Sequence, residues 1–395
     1  QFSYALHQFD ITHYAMINSP VYFLNYCYTT LKRNGGFNVS LTEAPLIQTE
    51  KRPLAISEIL LDKNENPFTL PPAFLEEIRE SISNIQFNRY PDPGYQRLRN
   101  RASEHYRFPA DQILTGNGGD EILWMLFSAF TKPGDMILSM TPTFSEYGHL
   151  AGVFDVRHCK IPLKYDEKRF YIDTVKFLKQ LRDGSYSLIL LDTPNNPSGI
   201  SIDSEFLETI LSLAECPVII DEAYSEFADY NFLQHIDTEN ISKNLVILKT
   251  LSKAWGLAGL RCGFGLCSKA ITRRLSSIRS PFNVNIFTEY VAYMMLNYPD
   301  WMKSRVDSIR FIRDSFTKQI NELPGWNAYQ SEANFVLLKY KNDKEHLQKV
   351  LEENHVKVKY PEIGFHRENW MRVTIGRENE MEKLLKIFSE VSVSV

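Results

Sequence analysis

The chain has 395 residues, 44% of them hydrophobic and 23% charged, with a formal net charge of −4. That is the composition of an ordinary soluble globular protein of two to three domains, or of one large α/β unit with a smaller partner. It excludes a general attraction for nucleic acid or anionic membrane. The five scattered cysteines (Cys27, Cys159, Cys216, Cys262 and Cys267) include no CxxC pair, which argues for a reduced, cytoplasmic protein without a disulfide framework or a metal site.

Residues 1–45 are rich in Tyr and Phe and show neither a helical nor an alternating period. Val21–Leu24 is too short a run for a signal segment and lacks a basic flank. The expectation is an N-terminal extension, non-native or poorly ordered, or else an arm that packs on a partner subunit. No apolar stretch is long enough for a transmembrane helix.

From about residue 112 short apolar runs alternate with helical patterns. Strands are expected at 112–114, 136–138, 187–191, 218–220 and 245–248, with helices at 120–130, 144–153 and 205–214. Continuous Val/Ile/Leu runs between helices indicate a mostly parallel sheet covered on both faces. Ligands of such sheets bind at the carboxyl ends of the strands, and Asn196, Asp221 and Lys253 all follow such runs. After about residue 290 a long helix is expected over 301–323. A strand at 334–338, a helix at 345–353, a strand at 370–374 and a closing helix at 378–391 follow it. This reads as a smaller α+β domain.

Four stretches carry candidate chemistry. Thr115–Glu121 lies between a strand and a helix, and its glycines let backbone N–H groups and the helix dipole meet an anion. It reads as a phosphate cradle or as a plain turn, and Glu121 at the third glycine position argues against a dinucleotide fingerprint. Asp192–Gly199 is a loop in which Asn196 offers an amide donor and in which Pro194 or Pro197 suits a cis peptide. Asp221 ends an apolar run, either as a cap or as a buried carboxylate, with Tyr224 three residues on. Thr250–Arg261 holds Thr250, Ser252, Lys253 and Arg261.

An amine among small and apolar residues is a desolvated nucleophile, and a strand-end carboxylate can keep a pyridine nitrogen protonated. Hydroxyls and an arginine can hold a phosphate. Together they point to pyridoxal 5'-phosphate (PLP) chemistry. Arg372, on an alternating strand, suits a substrate carboxylate if it points into the crevice, and is a sheet-face charge if it does not.

These residues resemble the fold-type I PLP-dependent aminotransferases, and among them most closely the histidinol-phosphate aminotransferases. The resemblance covers about residues 55–392. It rests on LDKNENPF (61–68), NRYPDPGYQRLR (88–99), GNGGDEIL (116–123), DTPNNPSG (192–199), DEAYSEF (221–227), TLSKAWGLAGLRCG (250–263), EANFVLL (332–338) and MRVTIG (371–376). It implies an aspartate aminotransferase-like fold, with a large PLP domain over 86–290 and a small domain from 46–85 plus 291–395. An amino donor, a 2-oxo acid and a homodimer are also implied. Lys253 would carry PLP, Asp221 face the ring nitrogen, Asn196 and Tyr224 bind the phenolate oxygen, and Phe144 stack on the ring. Gly119, Asp120, Thr250, Ser252 and Arg261 would surround the phosphate, with Tyr90 from the other subunit. Arg372 would take the substrate anion, with Asn334 nearby. Two departures stand out: Lys359 occupies a position where many members carry a second arginine, and Pro45-Leu46 stands where some carry Pro-Tyr.

Overall fold

The valine, isoleucine and leucine runs between turn residues become the strands of one central sheet, for the reason their lengths suggest: four to six residues span a sheet but make little more than one helical turn. The computed structural model describes residues 58–238, 240–361, 363 and 369–393. The expectations for residues 1–45 lie outside them. The chain runs through β1 (Ile59–Leu61), β2 (Ile113–Gly116), β3 (Met136–Thr141), β4 (Arg157–Pro162), the short pair β5 (Lys164–Tyr165) and β6 (Phe170–Tyr171), β7 (Leu188–Asp192), β8 (Val218–Asp221), β9 (Leu245–Thr250), β10 (Gly263–Cys267), β11 (Trp326–Ala328), β12 (Phe335–Tyr340), β13 (Val356–Val358) and β14 (Asn369–Thr374). Seven of these form the central sheet in the order β2-β10-β9-β8-β7-β3-β4. Neighbours from β9 to β4 are parallel, and β10 runs antiparallel to β9 and β2.

Alternation along the strands divides the interior in two. Leu188, Leu190, Ile219, Val246 and Leu248 pack on one face of the sheet with the helices Gly119–Phe130 and Ser145–Val153. Ile189, Leu191, Ile220 and Ile247 pack on the other face. Side chains two apart share a face, so Asp192, Asp221 and Thr250, each ending its strand, all belong to the first face. Glu222 and Lys249 belong to the second, where they form a buried ion pair at 3.3 Å.

Several elements had no legible signal. β10 contains Gly263 and Gly265, which weaken a strand pattern. The reason for Gly263 is contact: a Cβ there would lie 2.7 Å from the backbone of Gly118 and Gly119. β4 is an edge strand with Arg157 and Lys160 exposed. The helix Gln96–Tyr106 buries only Leu98, Ala102 and Tyr106, a stripe one residue wide. Boundaries also shift: Gln112 sits in a short 3-10 turn before β2, and the expected helix 301–323 runs over Pro299–Ile320.

The smaller α+β part pairs β11, β12 and β14 antiparallel, with Leu337 opposite Arg372. Against it lie the helices Pro299–Ile320, Lys344–Glu353 and Glu378–Val393. Among the described residues no helix is long and apolar enough to cross a membrane.

Candidate active site

Five chain segments leave the carboxyl edge of the central sheet around one cavity of about 150 Å³. Its floor is β7 and β8, where Asp192 and Asp221 stand opposite each other. Asp221 is buried, accepts from the Tyr147 hydroxyl at 3.0 Å and from the Ala223 N–H at 3.1 Å. Burial, and then the charge of Asp192, push its carboxyl up to about 7. It is a strand-end acid, but not a helix cap. Asp192 carries no signal of its own in the sequence beyond ending a strand. It accepts from Thr143 Oγ1 at 2.7 Å and from Asn195 Nδ2 and the Asn196 N–H at 2.8 Å each.

The anion side is built from β2 and the loop after β9. Gly118, at φ 82°, starts the helix Gly119–Phe130, whose first residues are Gly119 and Asp120. A Cβ on Gly118 would lie 2.6 Å from Arg261 Nη2, and the left-handed φ strains any side chain there. Arg261 pairs with Asp120 at 2.7 Å and reaches Ser252 Oγ at 3.4 Å. Thr250 Oγ1 donates to Ser252 Oγ at 2.9 Å. With both partners of the Arg261–Asp120 pair about half exposed, the ion pair itself stabilises little; its place at a helix N-terminus beside two hydroxyls is what makes an anion cradle.

Lys253 lines the same cavity, its Nζ donating to the Lys63 carbonyl at 3.0 Å. It is half-buried, which corrects the expectation of a desolvated amine: the chain before β2 offers it a polar partner. Phe144, at the start of the helix Ser145–Val153, lines the same cavity and meets Tyr147 edge-on at 5.7 Å.

Tyr224 and Asn196 complete the wall. The Tyr224 hydroxyl accepts from Asn64 Nδ2 at 3.0 Å, so its own hydrogen is left to donate. Asn64, absent from the sequence-derived site, is buried at φ 55° and is gripped by Thr374 Oγ1, at 2.9 Å from its N–H. Nothing in its local pattern signals this; the partners lie at the far end of the chain. Asn196 Oδ1 accepts from Arg372 Nη1 at 2.6 Å, leaving the amide donor as what it can offer the cavity. Both Thr193-Pro194 and Asn196-Pro197 are cis, as the loop's tightness suggested.

Arg372 is buried, not a sheet-face charge. Its Nη2 donates to the Asp62 carbonyl at 2.6 Å, and its Nε has no partner. Asn334 donates to the Asn64 carbonyl at 3.0 Å and leaves its buried Oδ1 unmatched. Lys359 bridges Arg372 backbone to backbone and is exposed. Tyr90 stands apart: it is 79% exposed and stacks on Phe282 at 4.4 Å. Another hollow, of about 1010 Å³ and lined by Arg169, Phe170 and Tyr171 among others, holds none of the candidate site residues.

The donor set fits PLP: an amine and a buried acid on one cavity, an aromatic side chain beside them, and a glycine turn at a helix N-terminus next to two hydroxyls and an arginine. Comparison with known proteins agrees. The aminotransferase class I and II family matches residues 56–388. The histidinol-phosphate aminotransferase of Pyrococcus furiosus is 36% identical over 332 residues, covering 84% of this chain and 92% of that protein. That of Caldanaerobacter subterraneus is 32% identical over 331 residues, with 84% and 92% covered. The crystal structure of histidinol-phosphate aminotransferase from Sinorhizobium meliloti in complex with PLP superposes with a TM-score of 0.78 at 21% identity, covering 91% of this chain and 99% of that one. The chain belongs to the class I and II aminotransferases, the PLP-dependent transaminases of fold type I, and within them to the histidinol-phosphate aminotransferase family.

Proposed function

We propose that this enzyme transfers the amino group of L-histidinol phosphate to 2-oxoglutarate, as a cytoplasmic homodimer serving histidine biosynthesis. One observation carries the substrate reading: Arg372 is a buried cation with an unmatched Nε. A buried guanidinium whose hydrogen-bond partners are neutral oxygens is costly, and an anionic substrate group relieves the cost. Histidinol phosphate has no carboxylate, so its phosphate is the anion to be met; the dicarboxylate acceptor brings its own. Directly opposite residues of an antiparallel pair project to the same side, so Lys359 supplies a second cation there. As a lysine it keeps the charge but follows differently shaped anions more freely than an arginine fork.

PLP, when bound, supplies an electron sink conjugated with the amino-bearing carbon of the substrate. Lys253 provides the amine that takes its aldehyde. Once free, the same amine would be the base that moves the substrate Cα proton. Asp221, ionised when a pyridinium lies against it, keeps the ring nitrogen protonated. Asn196 and Tyr224 each have a donor for the phenolate oxygen, and Phe144 covers the ring. Gly119, Asp120, Thr250, Ser252 and Arg261 would surround the phosphate, joined by Tyr90 of the partner subunit. We assign residues 86–290 to the large domain and 46–85 with 291–395 to the small one.

The test is kcat/KM for histidinol phosphate against phenylalanine and O-phosphothreonine. Histidinol phosphate should lead. A wide lead for phenylalanine refutes the substrate, and carbon dioxide from O-phosphothreonine makes the enzyme a decarboxylase. A charge-assisted hydrogen bond contributes roughly 1.5–3 kcal/mol, so Arg372→Ala should lower kcat/KM by about 10- to 100-fold, and Lys359→Ala by less.

The shared site has its own test. Tyr90 is exposed within its own subunit, as a residue reaching a partner would be. Mixing the inactive Lys253→Ala and Tyr90→Phe subunits should restore activity in hybrids, where one site is free of both changes. A monomer in sedimentation at working concentration refutes it.

A further inference from the structure

Two buried carboxylates end adjacent parallel strands, and only one of them has a role in the reaction as proposed. Asp192 and Asp221 are register partners, both turned to the same face of the sheet, and both are more than nine-tenths buried. Asp192 makes three short contacts that run in two directions. Toward β3 it accepts from the Thr143 hydroxyl, next to Phe144. Toward its own loop it accepts from Asn195 and from the Asn196 N–H. Asn195 closes the circuit by donating to the Pro142 carbonyl at 3.2 Å and by accepting from Ser198. Every acceptor site of the carboxylate used here faces a residue adjoining, or belonging to, a wall of the cavity.

We propose that Asp192 is a positioning residue of the PLP pocket: its carboxylate ties the turn bearing Phe144 to the turn bearing Asn196, and it places a second negative charge beside Asp221. An ionised carboxylate is a stronger acceptor than a neutral amide, so the turns that follow the paired strands β3 and β7 stay tied to each other beyond the end of their strand pairing. The same charge raises the affinity of the pocket for a cation. The titratable and charged groups that face Asp221 are Asp192 on β7, Asp120 at the start of the helix Gly119–Phe130, and Tyr147 on the helix Ser145–Val153. Tyr224, Lys253 and Arg261 line the same cavity. Asp192 is the nearest like charge in the sheet, and its influence on Asp221 exceeds that of Asp120.

The inference rests on Asp221 facing the ring nitrogen, and the experiment separates the two. Asp192→Asn keeps the shape and removes the charge; Thr143→Val keeps the charge and cuts one arm of the clamp. Two quantities are read on each protein: the dissociation constant of PLP, and the ionisation midpoint of Asp221 in the cofactor-free protein. The midpoint is followed by carbon-13 NMR of labelled aspartate and assigned by its loss in Asp221→Asn. Removing a neighbouring like charge lets the remaining acid ionise earlier, so Asp192→Asn should lower the midpoint by roughly one unit. The same change should weaken PLP about tenfold, the loss of one charge-assisted contact. Thr143→Val should weaken PLP by about threefold with the midpoint in place, and a purely structural defect would not divide the two readouts in this way.

An Asp192→Asn protein that binds PLP like the wild type with an unmoved Asp221 midpoint overturns the inference, even if it melts earlier. Should Asp192→Asn fail to fold, Thr143→Val decides alone: unchanged PLP affinity there overturns it. If Asp221→Asn keeps wild-type turnover while Asp192→Asn shows both shifts, the role given to Asp221 is wrong and the clamp stands.

Discussion

Lys253→Ala should lose on the order of 10⁴-fold or more in kcat, because one amine serves both as the attachment point and as the proton carrier, and proton transfer alone contributes about 10²- to 10⁴-fold. The variant should still bind PLP without a covalent link, since the phosphate cradle of Gly119, Thr250, Ser252 and Arg261 and the acid floor at Asp221 are untouched. Borohydride treatment of the wild type should fix the cofactor on the peptide carrying Lys253, read by mass spectrometry. Labelling of Lys249 or Lys63 instead would refute the assignment. The structure makes Lys249 a poor competitor: it is buried on the opposite face of the sheet and paired with Glu222 and Glu226.

Asp221→Asn should lower kcat by about 10²- to 10³-fold, the range for removing one preorganised electrostatic partner from a buried site, while the fold persists. Its second signature is pH dependence. In the cofactor-free protein the Asp221 carboxyl is raised from 3.8 to about 7, chiefly by burial and then by Asp192. A group that holds its proton more tightly folded than unfolded contributes stability that is fully present below the unfolded value. That contribution is lost as pH rises through the folded value. The cofactor-free wild type should therefore lose stability between about pH 4 and pH 7, the window set by Asp221. The slope should flatten in Asp221→Asn. Cofactor, by pairing a cation with the ionised acid, should raise Tm more at pH 7 than at pH 5. Parallel melting curves of wild type and variant across that range, with and without PLP, check it; a pH slope equal in both proteins, or near-wild-type turnover in Asp221→Asn, would sink the electron-sink role.

The reaction class was legible because PLP chemistry needs few residue types in a fixed order along the chain. A lysine just past one strand, an acid at the end of another, and a glycine turn before a helix are all local patterns, and parallel strands bring their carboxyl ends together whatever the details of packing. Even the shared face of Asp221 and Thr250 is implicit in period-two alternation, once the strands and their register are known. Lys253 and Arg261 were found the same way, by spacing within one loop.

What lay beyond reach has a common cause, which is distance along the chain. Asn64 grips Tyr224 and is itself gripped by Thr374, 310 residues away. Asp192 reads as the end of a strand until Thr143 and Asn195 are seen to share it. β10 was hidden by glycines that are there because another backbone lies against them, and a close approach has no periodicity to betray it. Arg372 could be read as exposed or buried from its alternating strand. Only the packing of β14 under the Asn196 loop decides that it is buried, with a nitrogen left over for an anion. Composition and spacing determined which chemistry this protein can hold, because those follow from residues near in sequence. Which partners hold the reacting groups in place was decided by the tertiary structure, because hydrogen bonds are short-ranged and satisfied by whatever the fold brings within about 3 Å.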